Sequence, residues 1–155
     1  MLWLPALTII VLSVLSAGVH SPYTGYASDV DLKHSYSLAN AANAAGFYND
    51  LAMESLAKEN PTISFIHAAP GVVNTNWGTE LPAVLRWLIR AIQPLFRSLE
   101  DAGEYLSCAL LDPEYHGGWS LMGSNGQRAS ATAAQMEARE LVWDHTKQVL
   151  QRLLQ

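Results

Sequence analysis

The chain has 155 residues, 50% of them hydrophobic and 15% charged, with a net charge of −5. That balance excludes extended disorder, and nine dispersed Lys and Arg residues exclude a nucleic-acid surface, which needs clustered positive charge. A chain of this length fits one domain, residues 1–155, and can bury a sizeable core. The single cysteine, Cys108, rules out an intrachain disulfide, and Pro61 spoils the N-glycosylation pattern at Asn60, so a reducing, cytoplasmic setting is expected.

The first nineteen residues, MLWLPALTIIVLSVLSAGV, carry no charged side chain. Three readings stay open. A secretory signal would want a basic start, which is missing. A membrane span needs about 20 apolar residues, so residues 1–19 are borderline and are broken by Pro5, Ser13, Ser16 and Gly18. A strand buried on both faces of a parallel sheet also reads as one apolar run, and the β-branched stretch at 8–17 fits it.

A loop rich in Ser, Pro, Gly and Asp follows, and then Ala, Leu, Met and Glu predict a helix over about 36–59, ended by Asn60-Pro61. Its core face is expected through Leu38, Ala41, Ala42, Ala45, Tyr48 or Asn49, Ala52 and Leu56. A strand at about 62–68 runs into Pro70-Gly71. Amphipathic helices are expected over 81–96 and 98–111, the second opened by the capping-box pattern Ser98-x-x-Asp101. A short strand at 118–123 lies between glycine turns, and a helix over 130–154 closes the chain. Strands alternating with long helices imply βαβ units: an α/β fold, part of a doubly wound, Rossmann-like parallel sheet, of which three strands are visible.

In such sheets ligands bind outside the carboxyl ends of the strands. Ser16 stands at the end of the first strand, where a hydroxyl can donate to a substrate oxygen. Tyr36 opens the first long helix. Tyrosine phenols titrate near 10, so acid–base work at neutral pH needs a nearby cation to favour the phenolate. A lysine one turn on would supply it, but that position holds Asn40. After the second strand, APGVVNT (69–75) makes a tight turn that can meet a ligand at the sheet edge. The plain alternatives are a small residue closing a strand, a tyrosine packed on a loop and an ordinary turn. The five histidines share no metal-ligand spacing, so no metal site is expected, and no G-x-G-x-x-G or Walker-type run occurs. VLSAG (14–18) matches half of a nucleophile elbow, with Val14 where the first glycine belongs.

The ordered set VLSVLSAG, YSLANAANAAGFYNDLAMESLA and ISFIHAAPGVVNT resembles the short-chain dehydrogenase/reductases, in particular the retinol-dehydrogenase-like branch and fungal members of secondary metabolism. The likeness runs from about Thr8 to Gly126 and covers the C-terminal half of that family, without the cofactor half and its glycine-rich turn. It implies an NAD- or NADP-dependent alcohol–carbonyl oxidoreductase acting on a small hydrophobic alcohol or carbonyl. Ser16 would steady the carbonyl, Tyr36 would donate the proton, and Pro70, Gly71, Val73 and Thr75 would border the cofactor. Asn40 falls on the lysine that binds the nicotinamide ribose and acidifies the tyrosine, so a weakened or inactive enzyme is expected. The resemblance also makes Thr8–Gly18 an internal strand. A half-sheet exposes a strand edge, which invites pairing with another chain or a second copy. The rival readings are a non-catalytic interaction module and a small protein anchored by Met1–Val19.

Overall fold

The computed structural model describes residues 9–75 and 78–155. The elements are β1 (Ile9–Val14), α1 (Leu38–Glu59), β2 (Ile63–Ala68), α2 (Ala83–Ile92), α3 (Leu99–Leu111), β3 (Trp119–Met122), β4 (Arg128–Ala129) and α4 (Ala133–Leu153), with three short 3₁₀ turns between them. The sheet order is β1-β2-β3-β4. β1, β2 and β3 are parallel, and β4 folds back antiparallel on β3. This is an α/β fold with a mostly parallel, partial Rossmann-like sheet, and the two-residue β4 is too short to leave a period in the sequence.

β2 is the central strand, and its two faces are read by alternation. Phe65 packs with Met53 and Ala57 of α1, while Ile66 and Ala68 pack with Ala109 of α3, Tyr115 and Met122. Helices therefore cover both faces, and α4 lies against α1 through Ala138 and Val142. Membrane insertion by helix has no support among the described residues, because none of their helices is long and apolar enough to cross a bilayer. The first eight residues of the Met1–Val19 stretch lie outside the described residues.

Two expectations are corrected. The first strand is not buried on both faces: among the described residues it pairs only with β2, Ile9 is 58% exposed, and Val11 and Val14 are exposed too. Its apolar run belongs to a strand with one open edge. The core face of α1 is also rotated from the alanine stripe. Leu38 is 83% exposed, whereas Ala44, Phe47 and Leu51 are buried with Tyr23. Alanines bury little area, so the one phenylalanine and its neighbouring leucine decide which side turns inward.

Local signals set the boundaries. Ser37 caps α1 by accepting from the Asn40 amide at 3.0 Å, and Ser98 does the same for α3 from Asp101. α4 begins with a full reciprocal box between Thr132 and Gln135, which starts it at Ala133 instead of 130. The expected helix over 81–96 is shorter, since Pro94 turns its end into a 3₁₀ segment.

We expect Phe47→Ala to cost about 3–5 kcal/mol and Leu38→Ala to change stability by about 0.5 kcal/mol or less, measured by urea unfolding. Equal effects would mean the buried face of α1 is misassigned.

Candidate functional site

The carboxyl ends of β1 and β2 lie side by side, since Val14 is in register with Ala68 and the Leu15 amide donates to the Ala68 carbonyl. Ser16 and the Pro70-Gly71 turn therefore leave the sheet at the same edge. Gly71 has φ +75°, and a side chain there would press on Ser124 Cβ at 3.1 Å. Glycine is required by both the backbone angle and the neighbour. The turn is pinned at its far side by Arg97, whose amide donates to the Val72 carbonyl and whose guanidinium bonds the Ser124 carbonyl and Asn125.

Pro70, Gly71, Val73 and Thr75 line one open cavity of about 640 Å³, flanked on its other side by Leu99 and Leu106 of α3. All four residues expected to border a cofactor thus meet at one opening, whose lining is largely apolar. Neither Ser16 nor Tyr36 is among the residues lining it.

Tyr36 is 72% exposed, and among the described residues its hydroxyl has no hydrogen-bond partner. Its position is set by the preceding loop. The Asp29 carboxylate accepts from the amides of Lys33 (2.8 Å), His34 (3.0 Å) and Ser35 (2.8 Å) and from the Ser35 hydroxyl (2.8 Å). Those bonds, that of the Ser35 hydroxyl foremost, hold the Asp29 carboxyl down at about 2. Asn40 bonds backward: its side-chain amide donates to the Ser35 carbonyl at 2.7 Å. The residue in the lysine position therefore fastens the start of α1 to the loop and brings no charge toward Tyr36.

Ser16 belongs to a polar cluster beneath the sheet edge. Its amide donates to His67 Nε2 at 3.1 Å, its carbonyl lies 2.8 Å from His20 Nδ1, and its hydroxyl lies 3.4 Å from that same nitrogen. Both imidazoles turn their other nitrogen to Asp50, His67 Nδ1 to Oδ1 and His20 Nε2 to Oδ2 at 3.4 Å. Gln135 donates to Asp50 Oδ2 as well. Asp50 is 1% exposed and His67 is fully buried. The structure thus brings Ser16 together with groups that sequence spacing missed, while no hydrogen bond joins Ser16 to Tyr36 among the described residues. A signal for Asp50 was present: it shares a face with Phe47, Leu51 and Glu54, and a carboxylate on a buried face needs partners. Among the described residues no group of three His, Cys, Asp or Glu side chains could hold a metal ion.

Two curated proteins resemble part of this chain. Oxidoreductase AN1596 of Emericella nidulans is 44% identical over 66 residues, which cover 43% of this chain and 19% of that protein. Oxidoreductase lepF of Aspergillus flavus is 33% identical over 66 residues, 43% of this chain and 18% of that protein. Over that stretch the chain is similar to fungal oxidoreductases. The matched part is less than a fifth of either relative. No protein-family model matches the chain, and no solved structure matches it.

Asp29 yields a pH prediction. Its folded value lies below the ordinary 3.8, so its contribution is fully present above that value and is lost as pH falls through about 2. Asp29→Asn should lower the melting temperature at neutral pH, and the gap to the wild type should close in acid, followed by thermal melts from pH 7 to below 2.

Proposed function

We propose that this chain forms the substrate-facing part of an NAD(P)-dependent oxidoreductase of the short-chain dehydrogenase/reductase type, interconverting a small hydrophobic alcohol and its carbonyl, with activity weakened at the Asn40 position. The observation that carries the reading is the convergence of Pro70, Gly71, Val73 and Thr75 on one apolar cavity at the strand ends where Ser16 also emerges. The similarity to two proteins named oxidoreductases supports the reaction class.

The residues fit the nicotinamide end of such a cofactor. Gly71 lets the backbone approach closely, Thr75 offers a hydroxyl, and the cavity has room for a flat ring. They do not supply a pyrophosphate cradle, since no G-x-G-x-x-G run exists in the chain. A bound nicotinamide supplies hydride transfer. Ser16 would donate a hydrogen bond to the substrate oxygen, and Tyr36, standing free at the mouth of α1, would exchange the proton there. Val73, Leu99 and Leu106 would give an apolar substrate an apolar wall. Asn40, tied to the Ser35 carbonyl, leaves the ribose and the phenol without a cationic partner.

A second reading rests on the open edge of β1, where Ile9, Val11 and Val14 are exposed beside backbone that no strand pairs with among the described residues. An interaction module would pair there with a second copy, and size-exclusion chromatography separates the two, a concentration-independent monomer ending the pairing reading.

For the main reading, titration of the ¹⁵N-labelled chain with NADPH should shift the amides of Gly71, Val73 and Thr75 in weak, fast exchange. Asn40→Lys should tighten that binding about tenfold, the worth of one hydrogen bond to a charged group. Unmoved amides at 71–75, or tight binding mapped elsewhere, would overturn it.

A further inference from the structure

We propose that His20, Asp50 and His67 form a buried positioning unit that holds the backbone of Ser16 from both sides and leaves its hydroxyl free to donate to a ligand oxygen. The role given to the hydroxyl rests on the function proposed above, whereas the arrangement of the unit does not.

The hydrogens can be assigned from the partners. A backbone amide only donates, so the Ser16 amide, 3.1 Å from His67 Nε2, requires that nitrogen to carry a lone pair. His67 then holds its hydrogen on Nδ1, where it donates to Asp50 Oδ1. A backbone carbonyl only accepts, so His20 Nδ1, 2.8 Å from the Ser16 carbonyl, is a donor. Its Nε2 faces Asp50 Oδ2 at 3.4 Å, so the same ring spans the Ser16 carbonyl and the carboxylate. Gln135 adds a donor to the same oxygen. Glu54, one turn along α1, does not compete for these donors because Lys58 and Arg139 hold it.

Ser16, His20 and Asp50 superficially match a nucleophile, base and orienting acid. The hydrogen placement excludes that reading. His20 Nδ1 spends its hydrogen on the Ser16 carbonyl at 2.8 Å and has no lone pair left for the hydroxyl at 3.4 Å. The hydroxyl hydrogen therefore has no acceptor within the unit, as a donor for a substrate oxygen requires. Gly46 completes the fit, since a Cβ there would run into both the His20 ring and Ser16 Oγ.

Histidine-selective ¹⁵N NMR on the folded chain tests this. The wild type should show His67 as the Nδ1–H tautomer and a scalar coupling across the hydrogen bond from the Ser16 amide to His67 Nε2. Asp50→Asn should abolish the tautomer preference and the coupling at temperatures below its melting transition. A merely structural role for Asp50 would lower the melting temperature and leave the coupling intact, which would overturn the proposal, as would an Nε2–H tautomer of His67 in the wild type. Gly46→Ala is the second variant, needed if Asp50→Asn does not fold: it should change the His20 ring signals and keep the Ser16–His67 coupling, and unchanged His20 signals would count against the clamp. A negative NADPH titration leaves these couplings unaffected, so the two proposals fail separately.

Discussion

A carboxylate with almost no solvent contact must find its hydrogen bonds inside the protein, and Asp50 draws them from three separate pieces of chain. His67 comes from the central strand β2, His20 from the loop after β1, and Gln135 from the first turn of α4. Burying α1 against the sheet is possible only where these donors converge, so one side chain fixes the docking of the helix and the exit of the first strand. Gln135 shows how tightly the requirement is shared: its oxygen closes the capping box of α4 through the Thr132 amide while its nitrogen reaches Asp50. The start of α4 and the polar centre of the molecule are therefore a single construction.

That constraint shapes the strand-end edge. Ser16 is held at its amide and its carbonyl, so the chain leaves β1 along one path and hands on to the loop that Asp29 winds. Asp29 in turn presents Tyr36 to solvent and gives Asn40 its acceptor at Ser35. Beyond β2 a different device does comparable work, a glycine at positive φ closed over by Ser124 and braced by Arg97. The edge thus combines a rigid polar half around Ser16 and an apolar half around the cavity.

The question posed by tyrosine without lysine has a local answer. An asparagine amide is short enough to bond back to the Ser35 carbonyl and secure the first turn of α1. A lysine ammonium also donates, but it does so from the end of a longer, flexible stem and carries a charge. The position has been given to helix initiation, and Tyr36, which lies just before the Ser37 cap of α1, is left exposed.

Three parallel strands, the four long helices in their order and the turn at Pro70-Gly71 were legible in the sequence, while the antiparallel β4 was not. Each follows from near-neighbour chemistry: apolar runs, helix formers, caps, glycine and proline. Tertiary structure decided the rest. The inward face of α1 depended on which volumes β2 and α4 could accept, so Phe47 prevailed over the alanine stripe. The exposure of β1 depended on what pairs with it, which no property of Ile9–Val14 encodes. Most of all, the cluster around Asp50 joins residues separated by as many as 85 positions, and hydrogen bonds between such distant groups leave no period or spacing to read.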